Sequence, residues 1–205
     1  MNNVYDILIK SINQQENLLA QFKGKLTLIV NISSKCGYKP RCSPLWSYAR
    51  TSRHLWELQQ IHNEFKESGF SVIGIPCNQF GKMEPSSNEQ IYEFIKKNYQ
   101  YVNFPISEKI DVNGSNEHEL FSFLKGKERR RYSDTKADGT AKAAEGQNLA
   151  GQAMNRIPHN YEKFLVGRDG QVIMRFNWRD MPLDKEPVIM GSNFTIKELI
   201  IESLG

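Results

Sequence analysis

Three cysteines, Cys36, Cys42 and Cys77, are the residues of this sequence with the most chemistry to offer. An odd number in a chain of 205 residues argues against a disulfide-stapled scaffold and favours reactive over structural sulfur. Cys36 follows the apolar run Leu26–Ile32 by four residues, at a turn that contains Gly37 and just ahead of a helix start. Free backbone N–H groups and a helix terminus stabilise a thiolate placed there relative to its ordinary pKa of about 8.5. A thiolate attacks the O–O bond of a peroxide, becoming a sulfenic acid that a second thiol reduces. Position alone weighs this equally against an inert, half-buried cysteine. Cys42 lies six residues further on in CGYKPRC, within reach of a disulfide if that loop folds back. Cys77, after Pro76 at a strand end, reads as a packed residue. His54, His62, His118 and His159 lack the spacing of a zinc site, and no phosphate-cradling glycine loop occurs, so neither a metal nor a bound cofactor is expected.

Positioning these side chains falls to alternating strands and helices. Leu26–Ile32 is short, β-branched and preceded by Lys23-Gly24-Lys25, which suits a central strand. Ser43-Pro44 supplies a cap and first helical position. Leu55, Leu58, Ile61 or His62, and Phe65 then make one face of a helix ending near Gly69, with a break expected near Thr51-Ser52. Phe70–Pro76 reads as a second buried strand, and SSNEQIYEFIKKN as a capped helix with Ile91, Phe94 and Ile95 on one side. Asn103–Ser107 predicts a short strand, and NEHELFSFLKG a helix with Leu120, Phe123 and Leu124 inward. Residues 127–157 turn polar and rich in Ala, Gly and charge, including Arg129, Arg130 and Arg131, and predict an inserted or extended loop. Two strands flank Arg168-Asp169-Gly170, a tight hairpin turn, and a last helix through FTIKELIIESL takes Asn193 or Thr195 as its cap. The order predicts one α/β domain over residues 1–205 with a thioredoxin-like arrangement. Its central sheet would be mixed but mostly parallel, with an antiparallel C-terminal hairpin, helices on both faces and inserted loops.

Composition narrows the function classes. With 39% hydrophobic and 24% charged residues the chain has material for a core, which excludes a wholly disordered protein. A net charge of +4 asks for no nucleic-acid partner. The N-terminal segment lacks a secretory pattern and no stretch reaches about 18 apolar residues, so a cytoplasmic protein without stable membrane insertion is expected. Oligomeric state is not legible.

Read in order, NISSKCGY, PCNQFGKMEPSSNEQI, KIDVNG and NYEKFLVGRDG resemble the glutathione peroxidases of the cysteine type. FLVGRDG and VIMRF resemble the bacterial members in particular, and only 43–54 and 127–157 match weakly. The resemblance implies a thiol-dependent peroxidase that reduces hydrogen peroxide or organic hydroperoxides through a cysteine sulfenic acid. Cys36 matches the family's peroxidatic cysteine. Gln79 matches a glutamine whose amide donates toward the sulfur or the peroxide oxygen. Asn160 matches the asparagine of a Trp-Asn-Phe segment, whose amide stabilises charge on sulfur and on the leaving hydroxide. Here the segment reads His159-Asn160-Tyr161, so His159 stands in the tryptophan's place. It is either a substitute donor and proton shuttle or a surface histidine. Met83 also replaces a usual glutamine.

Members that use thioredoxin commonly carry a resolving cysteine in Lys-Cys-x-Val-Asn-Gly, where this chain has Ile110. Glutathione or another small thiol is therefore the simpler expected reductant, with thioredoxin open if Cys42 resolves oxidised Cys36. Lys35, Lys39 and Arg41 would favour the thiolate and steer an anionic thiol. Two other functions fit the same residues. One is a thiol-disulfide oxidoreductase or peroxide sensor built on Cys36 and Cys42; the other is a noncatalytic scaffold of the same fold.

Overall fold

The computed structural model describes residues 3–36, 49–126, 156–185 and 194–205. Every residue of β1 (Leu26–Ile32) is buried, the state of a central strand covered on both faces. Its side chains alternate between two cores. Leu26, Leu28, Val30 and Ile32 pack with Leu55, Leu58 and Ile61 of α1 (Ala49–Phe65), Ile91 and Ile95 of α2 (Asn88–Asn98), and Ile196 and Ile200 of α4 (Ile196–Leu204). Ile29 faces the other way, toward Val4, Tyr5 and the residues Leu120, Phe121 and Leu124 of α3 (Glu119–Gly126). A period of two along one strand thus builds a helix layer on each side.

The sheet order is β2-β1-β3-β4, with β2 at Phe70–Pro76, β3 at Lys163–Val166 and β4 at Val172–Phe176. β1 runs parallel to β2, pairing Leu26 with Phe70 and Ile32 with Pro76, but antiparallel to β3, which is antiparallel to β4. Among the described residues the sheet is therefore mixed as expected but not mostly parallel. The chain re-enters it at the end where β1 finishes, so β3 must run back along β1. Gly170, at φ +74°, closes the β3–β4 hairpin, donating its N–H to the Gly167 carbonyl at 2.9 Å.

Local chemistry sets the helix ends. Ser87 with Gln90, and Thr195 with Glu198, form reciprocal capping boxes at the starts of α2 and α4. Thr195 is thus the cap of α4; Asn193 lies outside the described residues, as does the expected Ser43-Pro44 start of α1. α1 continues unbroken through Thr51-Ser52. In α3 it is Phe121, not Phe123, that is fully buried beside Leu120 and Leu124. Asn103–Ser107 makes only isolated bridges, Ile106 to Gly74 and Ser107 to Ser11. Pro105 has no N–H to extend the ladder. Of the expected insertion only Arg156 and Ile157 are described. No described helix is long and apolar enough to cross a membrane.

Candidate active site

The end of β1 runs into Ser33-Ser34-Lys35-Cys36, a turn held from several sides. Ser33 Oγ donates to the Met83 carbonyl at 3.0 Å. Ser34 Oγ donates to Glu84 Oε1 at 2.9 Å and Ser34 N–H to Glu84 Oε2. Tyr161 OH donates to the Ser33 carbonyl at 2.6 Å, Tyr99 OH to the Ser34 carbonyl at 3.2 Å, and Thr51 Oγ1 of α1 to the Cys36 carbonyl. Cys36 is 2% exposed and shares its apolar cluster with Tyr161. Lys35 leans away, its Nζ donating to Ser86 Oγ at 3.0 Å and lying over the Phe94 ring.

The His159-Asn160-Tyr161 segment is fastened to the same end of β1. Asn31 accepts the Tyr161 N–H at 2.6 Å through its carbonyl, donates its own N–H to Glu162 O at 3.3 Å, and donates Nδ2 to His159 O at 3.0 Å. Tyr161 adopts φ +72°, a left-handed conformation costly for an aromatic residue. Its neighbours over-determine it: the ring stacks on His54 at 4.2 Å, and Lys163 Nζ donates to its carbonyl at 2.8 Å. Burial pushes the Tyr161 phenol well above its usual pKa, so it stays a neutral donor. Tyr161→Phe leaves the buried Ser33 carbonyl without this donor. It is expected to cost about 1–3 kcal/mol, read as a lower urea midpoint at unchanged slope. Asn160 is fully buried, and among the described residues neither atom of its carboxamide has a hydrogen-bond partner. Such a group carries an unpaid desolvation cost until something binds it.

Gln79 is placed differently from expectation. Its Oε1 accepts the N–H groups of Val112 and Asn113, both at 2.9 Å, and its Nε2 donates to the Asn113 carbonyl at 2.7 Å. The amide is thus anchored to the 112–113 loop rather than directed to the Cys36 sulfur. An open cleft of about 820 Å³, with Gln79, Phe80, Lys82, Asp111 and Arg156 on its walls, lies beside it. The His159 ring packs between Phe80, at 6.2 Å, and Trp178, at 4.8 Å, with Nδ1 3.3 Å from the Asn160 carbonyl oxygen. A tryptophan therefore neighbours this segment, brought back to it by the β3–β4 hairpin. Cys77 donates its backbone N–H to Ile32 O at 3.1 Å, and burial pushes its thiol up to about 11, which keeps the sulfur protonated and packed. Ile110 stands nearby, its N–H on the Pro76 carbonyl at 3.1 Å. Cys42, Lys39, Arg41 and the Arg129–Arg131 run lie outside the described residues. Among the described residues no group of three or more His, Cys, Asp or Glu side chains is placed to hold a metal ion.

The glutathione peroxidase family model matches residues 4–125. The chain is 38% identical over 184 residues to glutathione peroxidase-like peroxiredoxin 2 of Saccharomyces cerevisiae, covering 89% of this chain and 93% of that one. The chain belongs to the glutathione peroxidase family. It is an enzyme that reduces peroxides through a catalytic cysteine, with a thiol as reducing cosubstrate. Relatives of this peroxidase come from yeasts, a staphylococcus and plants, so membership is established at the level of the family rather than of a bacterial branch. The solved structure of Trgpx in apo form aligns over 100% of this chain and 97% of its own, with a TM-score of 0.62 at 28% identity. A thioredoxin family thiol:disulfide interchange protein from Chlorobium tepidum shares the fold, with a TM-score of 0.50 at 12% identity over 97% of this chain and 93% of its own. The fold is thus thioredoxin-like, with a mixed sheet between helices.

Beneath the site of this peroxidase lie buried charges that the motifs do not announce. Arg175 and Glu162, both fully buried, pair through Nε and Oε1 at 2.8 Å. Arg175 Nη2 also donates to the Arg156 carbonyl at 2.9 Å, and its guanidinium lies over Phe164. Burial lowers the Lys163 ammonium from 10.5 to about 8, opposed by the charges of Asp180 and Glu162. The folded protein thus sheds this proton near pH 8 while the unfolded chain keeps it to about 10.5. Across that window the unfolded state binds more protons, so stability owed to Lys163 rises with pH. The melting temperature of the wild type relative to Lys163→Met is expected to climb between those limits; a flat difference would refute the desolvation of the ammonium.

Proposed function

We propose that Cys36 is the peroxidatic cysteine and that a small thiol, glutathione or a relative of it, is the reductant. The reading is carried by one observation: the Cys36 turn and the His159–Tyr161 segment are held at the same end of β1, with Tyr161 in the cluster that contains Cys36. The thiolate attacks the distal oxygen of the hydroperoxide, the O–O bond breaks, and the alkoxide takes a proton to leave as alcohol, or as water from hydrogen peroxide. The sulfenic acid then condenses with one thiol, releasing water, and a second thiol displaces the first as a disulfide. Asn160, whose buried amide has no hydrogen-bond partner among the described residues, is the group we assign to the charge that develops on sulfur and oxygen. His159 and Gln79 belong in this reading to the rim: His159 as a donor from its place against Trp178, Gln79 by shaping the cleft beside the 112–113 loop.

Ile110 at the position of the family's resolving cysteine supports a small thiol over thioredoxin. Cys42 is the residue through which thioredoxin would enter instead. The motifs quoted above favour the cysteine-containing bacterial branch, and a cysteine regenerated by free thiols suits the reducing cytoplasm.

Turnover with glutathione and with thioredoxin, using hydrogen peroxide and an organic hydroperoxide, tests the reductant. Trapping the oxidised enzyme with a sulfenic-acid reagent and mapping the adduct by mass spectrometry tests the residue. An adduct on Cys36 and faster turnover with glutathione are expected. An adduct on Cys77, or turnover by thioredoxin alone that Cys42→Ser abolishes, would overturn the respective halves.

A further inference from the structure

Glu84 is a fully buried carboxyl group with no salt bridge among the described residues. Burying a carboxylate without an ion-pair contact is costly, and burial raises its pKa against the pull of the Ser34 hydrogen bonds and of the Lys35 and Lys109 charges. Its hydrogen bonds among the described residues go to one residue: Oε1 accepts the Ser34 hydroxyl at 2.9 Å and Oε2 accepts the Ser34 N–H, with the charges of Lys35 and Lys109 acting from further off. Its own backbone is fixed from behind. Asn78 Oδ1, just beyond β2, accepts the Glu84 N–H at 3.0 Å, and Lys109 Nζ donates to the Glu84 carbonyl at 3.2 Å and to the Ser86 carbonyl at 2.6 Å. The side chain thereby ties the segment after β2 to the turn after β1, two residues ahead of Cys36.

We infer that Glu84 is a positioning residue for the peroxidase reaction, acting through Ser34 to hold the Ser33–Cys36 turn so that the sulfur presents to the peroxide oxygen. The inference rests on Cys36 being the peroxidatic residue. A fork of two acceptors on consecutive polar atoms of one residue fixes both the position and the rotation of that residue. Three further bonds, from Ser33 to Met83, from Lys35 to Ser86 and from Thr51 to the Cys36 carbonyl, fix its neighbours. The grip depends on shape and reach rather than charge. A carboxamide at the same place accepts the N–H through its oxygen and donates to the hydroxyl through its nitrogen. An aspartate keeps the charge but falls one methylene short.

The test compares Glu84→Gln, Glu84→Asp and Cys36→Ser in the full chain, each checked for folding by circular dichroism. The readouts are the second-order rate constant for Cys36 oxidation by hydrogen peroxide and the pH midpoint of Cys36 alkylation resolved by mass spectrometry. Because misplacing a reacting group by about 1 Å costs up to about 100-fold, Glu84→Asp is expected to slow oxidation about 10-fold or more. Glu84→Gln should stay within about threefold of the wild type with an alkylation midpoint no higher than the wild type's. Oxidation at the wild-type rate in Glu84→Asp, or a loss in Glu84→Gln equal to that in Glu84→Asp, overturns the inference. Rapid peroxide reduction that persists in Cys36→Ser overturns the reading beneath it, so the two failures are told apart.

Discussion

Replacing Cys36 by serine is expected to abolish rapid peroxide reduction, lowering the rate constant for hydrogen peroxide by about 1,000-fold or more while the fold is kept. The hydroxyl is a far weaker nucleophile than the thiolate, and no second described sulfur is ready to replace it. Cys77 is fully buried and its thiol is pushed up to about 11. The exchange of sulfur for oxygen also changes little volume at a residue 2% exposed, so circular dichroism and melting temperature should stay near those of the wild type. Stopped-flow consumption of hydrogen peroxide by the two proteins decides it. A variant that keeps the wild-type rate would move the chemistry to another cysteine.

The largest effect on stability is expected from breaking the pair of Arg175 and Glu162. Both are fully buried, so Arg175→Met leaves a carboxylate without its guanidinium and the Arg156 carbonyl without its donor. Removing one partner of such a pair costs about 3–5 kcal/mol. At about 2–4 °C per kcal/mol for a chain of this size, the melting temperature should fall by roughly 10 °C. The double variant Glu162→Leu with Arg175→Met removes both charges and should recover much of the loss. A double variant no more stable than the single one would show that the pair contributes packing and backbone anchoring beyond its charges.

Much of the frame was legible because its signals are local. β1 and β2 are short, mostly apolar runs that each start just after a glycine, and Ser87 and Thr195 announce their helices through a partner three residues on. What escaped depends on contacts distant in sequence. The direction of β3 follows from where the chain re-enters the sheet. The helical period put Phe123 on the inner face of α3, but it is Phe121 that is fully buried there, packed against Phe164. Gln79 could be named from its motif, but its orientation is dictated by backbone groups 33 and 34 residues away. Glu84, a single acidic residue in GKMEP, looks like surface until Ser34 is seen to fill both of its oxygens.

With Cys36 as the proposed peroxidatic residue, its burial divides the catalytic cycle into halves with unequal demands on access. Hydrogen peroxide is hardly larger than water and asks for little room beside a sulfur that is 2% exposed. A thiol reductant must bring its own sulfur to about 2 Å, the length of the disulfide it forms, and drags a peptide behind it. The first half therefore asks for little exposure of the sulfur, whereas the second needs it uncovered. Under saturating peroxide the oxidised enzyme should accumulate, and the rate of uncovering, rather than the reactivity of the sulfur, becomes the quantity that limits turnover.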